Sequence, residues 1–170
     1  MINVLYSSEK AGIFFAVKPI AELLMFIPLA MGSVLFPLVS ELWARKQNNI
    51  LKDAIAMILK ASVVLIVPLA LVSLAFPETV IFIIMGDKYL SGAWVLRFMT
   101  VNVIVSTLNT LLSRTILGIG KPVAIAKTTG VMAITILIAN LIFIPPYGIE
   151  GAAVASFCAI MASFIVSLYY

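Results

Sequence analysis

Two oppositely charged residues lie four positions apart in an otherwise apolar stretch near the start of the chain, Lys18 and Glu22. On a helix this spacing puts the two charges one turn apart, where they can pair. A charged side chain in lipid costs at least about 2.5–3.5 kcal/mol, so the pair is expected to face other helices or a wet cavity. Two interpretations stay open: a cavity pair that contacts a charged substrate or coupling ion, and a structural pair at the membrane interface.

A second set of polar residues begins at Arg97 and continues with Asn102, Ser106, Asn109 and Ser113. The last four are four, three and four residues apart, which places them in one stripe on a helix. The stripe can line a hydrophilic lumen, or it can form helix-to-helix hydrogen bonds worth about 0.6–2 kcal/mol each. Arg97 can bind a substrate phosphate through two parallel hydrogen bonds, or it can reach the phosphates of the bilayer.

The composition indicates which class of fold positions these residues. Of 170 residues, 64% are hydrophobic and 11% are charged, and the mean hydropathy is +1.22. So few charges cannot cover a water-soluble domain, so lipid is the expected solvent for much of the surface. Only helices and closed barrels satisfy the backbone in hydrocarbon, and the unbroken apolar runs favour helices over alternating barrel strands. The sequence therefore predicts an all-α integral membrane protein.

Several functions are unexpected on composition alone. Histidine is absent and Cys158 is the only cysteine. This excludes a disulfide framework and predicts no structural zinc, no metal site and no histidine-based catalysis. The sequence predicts no cofactor and no enzymatic activity, since the few carboxylates lie mostly near loops. The net charge of +4 comes from scattered basic residues, which favours membrane topology over a nucleic-acid partner.

About five transmembrane helices are predicted within a single membrane domain covering residues 1–170. Each run is close to the roughly 20 apolar residues that a span requires. The predicted helices cover about 11–39, 54–76, 91–117, 123–144 and 151–170, with loops at about 40–53 and 118–122. The first is longer than needed and contains Pro19, Pro28 and Pro37, so it must tilt or kink. In the fifth, small residues recur every fourth position, which predicts a packing face.

Basic residues mark the predicted orientation. Those near the first and third loops are Arg45, Lys46, Lys52, Lys60, Arg114, Lys121 and Lys127. The other side has only Lys10 and Lys88, beside Glu9, Glu78, Asp87 and Glu150. Because lysine and arginine accumulate on the cytoplasmic side, the loops at 40–53 and 118–122 are expected in the cytoplasm. The N-terminus is then outside and the C-terminus is cytoplasmic.

The order of landmarks along the chain is similar to that of a known family. The matching segments are Ala11-Gly12-Ile13-Phe14, Phe36-Pro37-Leu38-Val39-Ser40-Glu41-Leu42, the Pro68 helix, Gly86-Asp87-Lys88-Tyr89 ahead of Leu96-Arg97, Gly120-Lys121-Pro122, and Pro145-Pro146-Tyr147-Gly148-Ile149-Glu150-Gly151-Ala152-Ala153-Val154-Ala155. The last segment is the most specific. Together they resemble the second half of the polysaccharide (O-antigen-type, lipid-linked oligosaccharide) flippases, in the multidrug/oligosaccharidyl-lipid/polysaccharide exporter superfamily.

The resemblance implies a transporter that moves lipid-linked oligosaccharide or polysaccharide precursors across the cytoplasmic membrane. It also implies two lobes around a central cavity in which cationic side chains contact the pyrophosphate of the lipid. By their positions, Lys18 and Arg97 are the candidates for these cationic side chains. The chain matches only a partial second lobe, and Met1–Ser8 is expected to be the tail of that lobe's first helix. Alternating access by rocking of one lobe against the other requires both lobes. The expected partners are therefore the lipid bilayer, a lipid-linked sugar and a second chain or lobe.

Other functions remain open at this point. A multidrug and toxin extrusion-type cation exporter would favour an acid in the cavity, and Glu22 is the one deep acid, with Lys18 beside it. The chain can also be a non-transporting membrane subunit, one piece of a split gene, or an inactive remnant.

Overall fold

The computed structural model describes residues 8–170, with side chains for residues 12–148 and 150–170. In chain order its elements are α1 (Ser8–Leu24), α2 (Phe26–Ala44), α3 (Asn48–Ala75), α4 (Pro77–Met85), a 3-10 helix (Asp87–Gly92), α5 (Ala93–Gly118) and α6 (Pro122–Leu168). No strand occurs between residues 8 and 170. The predicted all-α membrane fold class is confirmed. The expectation for Met1–Ser8 concerns residues that lie, except for Ser8, outside the described range.

Five segments of this structure are long and apolar enough to cross a membrane. They are Phe26–Ala44, Asn48–Ala75, Asp87–Gly118, Pro122–Gly148 and Glu150–Leu168. The count agrees with the sequence, but the first segment differs, because the predicted span over 11–39 is two helices, α1 and α2, that meet at Met25.

Pro28 explains the break at Met25. Proline has no backbone N–H, so the carbonyl of Leu24, four residues earlier, loses its helical donor. The chain tightens just before this point, where the Met25 N–H donates to the Glu22 carbonyl at 2.9 Å, a three-residue turn. Leu29 N then donates to the Met25 carbonyl at 3.1 Å and the helix resumes. The break follows the Lys18–Glu22 pair by one turn.

The loops are shorter than the sequence indicates. The loop expected at about 40–53 is only residues 45–47, and the loop expected at about 118–122 is only residues 119–121. Residues 40–44 and 48–53, a mixture of polar and apolar residues, extend the helices, and the Arg45–Glu41 ion pair at 2.8 Å bridges one turn of α2 and its cap. Polarity there marks the edge of the apolar span, whereas helical hydrogen bonding continues past that edge. For the same reason α3 begins at Asn48 and not near 54.

The two halves of α6 are joined by a sharp bend at one residue. The sequence places a break over 145–148, but helical geometry continues through Pro145 and Pro146 and changes only at Gly148, whose φ is 59° and ψ is −125°. A side chain is strained at positive φ, so glycine suits this position. At Gly151 a Cβ would collide with the Phe143 carbonyl, which shows how closely the chain folds back. We call the halves α6a (Pro122–Gly148) and α6b (Glu150–Leu168).

Consecutive spans run antiparallel, so α5 runs parallel to α1 and α2, and glycines mark the close contacts between them. A Cβ on Gly92, just before α5, would lie 2.6 Å from Val17 Cγ2 of α1, and one on Gly118, at its end, 2.7 Å from Val39 Cγ1 of α2. Lys121 Nζ donates to the Tyr170 carbonyl at 3.3 Å, so α6b returns to the end where α6a begins. We define the basic end of the bundle as the end with loops 45–47 and 119–121. The opposite end carries the 3-10 helix and Gly148.

Two clusters of buried side chains hold the bundle together. One, toward the opposite end, includes Val17, Ile66 and Leu96, and the other, toward the basic end, includes Leu35 and Leu111. The outward surface is also apolar, with many large side chains mostly exposed, as lipid solvation requires. The predicted packing face of the fifth span is confirmed: Ala155, Ala159, Ser163 and Ser167 are all buried.

Candidate functional site

The Lys18–Glu22 pair forms on one face of α1. Lys18 Nζ lies 3.2 Å from Glu22 Oε1, and the two side chains remain 44% and 57% exposed. Such open pairs contribute at most about 1 kcal/mol in water, so the pair contributes little to stability in a wet site. Its two charges cancel, and it offers both a donor cation and an acceptor carboxylate to a polar ligand.

The pair lies on the wall of a cavity of about 640 Å³ between α1, α5, α6a and α6b. The cavity occupies the half of the bundle away from the basic end. Its polar wall residues come from all four helical segments: Lys18, Glu22, Asn102, Ser106, Asn140 and Ser156. The rest of the wall is apolar, with methionines at positions 25, 99 and 132. Unbranched methionine side chains adapt to irregular ligands.

Asn102 is the polar residue of this wall that folding leaves unsatisfied. It is 4% exposed, and neither its Oδ1 nor its Nδ2 has a hydrogen-bond partner among the described residues. An unpaired buried polar group costs about 1–3 kcal/mol. An amide offers two donors and an acceptor, but both polar atoms here have essentially no accessible surface, so a ligand with hydroxyl groups reaches them only if a neighbouring side chain of the wall moves.

The polar stripe on α5 divides at its middle. Asn102 and Ser106 are on the cavity wall, whereas Asn109 contacts α6b. Asn109 Nδ2 donates to Ser163 Oγ at 3.2 Å, and Ser167 Oγ lies 3.1 Å from Asn109 Oδ1. Ser167 has a single hydroxyl proton, and the Ser163 carbonyl at 2.8 Å competes for it. At Asn109 the stripe is therefore a helix-to-helix contact.

Ser113 lies one turn further along α5 and is half-buried. It is absent from the cavity wall described above. Of the four stripe residues, the structure therefore brings two together at the cavity and separates the other two from it.

Arg97 lies outside the cavity and closes the end of α3. Its Nε donates to the Leu74 carbonyl at 3.2 Å. That carbonyl belongs to the last turn of α3, where Pro77 begins α4 and the regular helical donors run out. A cation at a helix C-terminus also complements the helix dipole. The structure gives Arg97 a capping contact between α5 and α3.

Two wall residues were missed by the sequence reasoning. Asn140 lies within an apolar run of α6a, and an amide inside a spanning helix is itself a signal that could have found it. Ser156 was included in the packing face of the fifth span. Its hydroxyl donates to the Ala152 carbonyl at 2.9 Å, and the residue also lines the cavity.

The fold and the cavity together define a multi-pass α-helical membrane protein with a partly polar, open cavity. Two curated proteins are similar to it. An uncharacterized membrane protein of Methanocaldococcus jannaschii is 29% identical over 152 residues, covering 89% of this chain and 30% of its own length. A probable low-salt glycan biosynthesis flippase of Haloferax volcanii is 22% identical over 170 residues, covering 100% of this chain and 36% of its own length.

The chain thus spans about a third of the length of the curated relatives it matches. No family model matches it, and no solved structure matches it. The similarity extends to a distant, flippase-like group of membrane proteins.

Proposed function

We propose that the chain is part of a membrane transporter that flips lipid-linked oligosaccharide or polysaccharide precursors across the cytoplasmic membrane. The observation that carries the proposal is the cavity whose wall includes both an unsatisfied buried amide, Asn102, and the Lys18–Glu22 pair. The similarity to a probable glycan biosynthesis flippase also supports this proposed function. In this proposal the chain acts by binding and moving a substrate and catalyses no reaction.

The chemistry of the wall suits a polar head group on an apolar chain. Asn140 and Ser106 offer amide and hydroxyl groups that can hydrogen-bond sugar hydroxyls, and Asn102 adds a second amide once a movement of the wall uncovers it. The apolar remainder of the wall lowers the cost of bringing the lipid end close. Because Glu22 neutralises Lys18 at 3.2 Å, the wall does not hold an excess of positive charge at this pair.

A cation exporter is the second candidate, since Glu22 is an acid on the cavity wall. The Lys18 ammonium already occupies its carboxylate, which disfavours a second cation at that place. A non-transporting subunit is the third, and the transport assay below separates it from the other two.

We place the basic end in the cytoplasm, the N-terminus outside and the C-terminus inside, because basic residues concentrate at that end. The cavity then lies in the outer half of the membrane. We also propose that a second lobe, from another chain or from further residues, completes the transport path, since alternating access requires two bodies that move against each other.

The test is a flipping assay in proteoliposomes, with the chain expressed in its native membrane and purified with whatever accompanies it. Lipid-linked oligosaccharide with a fluorescent sugar is loaded into both leaflets, and an externally added quencher reports the fraction that becomes accessible. We expect transport to fall by tenfold or more in Asn102→Ala, and to be unchanged in the matched control Asn49→Ala, an exposed amide at the basic end. Transport of an organic cation but not of the glycolipid would overturn the proposal in favour of the exporter. Absence of both activities in the native preparation would overturn it in favour of a subunit.

A further inference from the structure

Arg114 is a charged residue that the proposed cavity does not use. It lies on α5, one turn before the helix ends at Gly118, and it is half-buried. Its stem crosses α2 at Gly32: a Cβ built on that glycine would lie 3.0 Å from Arg114 Cγ, 3.5 Å from Nε and 3.7 Å from Cδ. Glycine at position 32 therefore provides the shallow groove in which the arginine stem rests.

Contacts between α5 and α2 also show how far the stem of Arg114 lies from the basic end. Gly118, the end of α5, meets Val39 and the Phe36 carbonyl of α2. Gly32 precedes those two residues by seven and four positions, which corresponds to about 10 and 6 Å along the helix at 1.5 Å per residue. The stem of Arg114 therefore lies alongside α2, one to two helical turns from the basic end.

No acidic partner reaches Arg114 in the described part of the chain. The ion pairs there are Lys18–Glu22 and Arg45–Glu41, and Arg114 has no hydrogen bond to another described residue. Glu41 lies nine residues beyond Gly32, about 14 Å further along α2, and Asp53 is exposed in the second turn of α3 near the hairpin tip. Arginine cannot discharge by losing its proton. A half-buried guanidinium that stays charged and has no carboxylate partner is a favourable site for another anion.

We propose that Arg114, seated on Gly32, binds the phosphate group of an anionic phospholipid in the leaflet at the basic end. Guanidinium and phosphate match in a bidentate geometry. Val34 and Phe36, which follow Gly32 on α2 by two and four residues, are exposed and can contact acyl chains. This site is separate from the cavity and does not depend on the proposed transport function.

The test is lipid retention measured by native mass spectrometry. The full chain is purified, placed in nanodiscs of phosphatidylcholine alone or mixed with phosphatidylglycerol, and released into the spectrometer. We expect phosphatidylglycerol to stay bound to the native chain, and its affinity to fall about tenfold in Arg114→Gln, equal to about 1.4 kcal/mol. Arg114→Lys should retain part of the binding, since it keeps the charge but loses the two-pronged geometry. The matched control is Lys60→Gln, which removes an exposed cation and should retain phosphatidylglycerol.

Gly32→Ala keeps the arginine and displaces its stem, so it tests the role of the groove at Gly32 if Arg114→Gln fails to fold. Loss of phosphatidylglycerol in Gly32→Ala, with phosphatidylcholine unaffected, supports the proposal. Equal losses in Arg114→Gln and Lys60→Gln would overturn it, because the attraction would then be general surface charge. It is also overturned if inorganic phosphate or pyrophosphate displaces phosphatidylglycerol at equal concentration, or if Arg114→Gln releases a protein chain instead of a lipid.

Discussion

Replacing Asn102 with leucine tests whether the cavity amide is maintained at the expense of stability. Both polar atoms of its side chain are buried without a partner in the described structure, which costs about 1–3 kcal/mol. Leucine branches at the same carbon and has no polar atoms, so Asn102→Leu should recover that cost. For a chain of this size 1 kcal/mol corresponds to about 2–4 °C, so the melting temperature should rise by about 2–12 °C.

The single native cysteine makes the measurement direct. Cys158 is half-buried on α6b, and a thiol-reactive fluorophore will label it faster as the bundle unfolds on heating. The matched control is Asn109→Leu, which removes an amide with partners in Ser163 and Ser167 and should lower the melting temperature. A fall in both variants by similar amounts would refute the reasoning, since it would mean that Asn102 is satisfied in the folded protein.

Two further substitutions separate structural residues from substrate contacts. Arg97→Gln should lower the free energy of unfolding by about 1 kcal/mol, because it removes the donor to the Leu74 carbonyl, and Arg97→Lys should restore part of it. If Arg97→Gln instead leaves the melting temperature unchanged and abolishes transport, the capping role is wrong. Gly151→Ala should destabilise by about 1–3 kcal/mol, because its Cβ would collide with the Phe143 carbonyl. Gly130→Ala is its control: that site in α6 has open space, so the melting temperature should stay equal or rise slightly.

Helix breaks were harder to predict than helices. A break was expected across Pro145-Pro146-Tyr147-Gly148, yet the helix continues through both prolines and turns only at the last of the four residues. Pro28 causes the helix break three residues earlier, at Met25, because a proline cannot donate the backbone hydrogen bond to the carbonyl four residues before it. The loop lengths were overestimated because polar residues can continue a helix beyond its apolar span. Hydropathy indicates which residues prefer water and gives no information on whether the backbone remains helical.

The site was predicted in part. The spacing of Lys18 and Glu22 was enough to predict their ion pair, since two residues four apart on one helix have a fixed geometry. The stripe from Asn102 to Ser113 was also recognisable from its period. Its division between a cavity and a helix contact depends on α6b, more than fifty residues away, whose Ser163 and Ser167 meet Asn109. Periodicity within one helix carries no information about which neighbour covers each turn.

The sequence by itself determined that this chain is a helical membrane protein with about five spans, because a composition so poor in charge has no stable alternative in water. It also determined the local pair at Lys18 and Glu22. Only the tertiary structure decided that Asn102, and not Arg97, belongs to the cavity wall, and that Arg114 lies on Gly32 without an acid. These facts depend on contacts between helices distant in the sequence, and packing geometry sets such contacts.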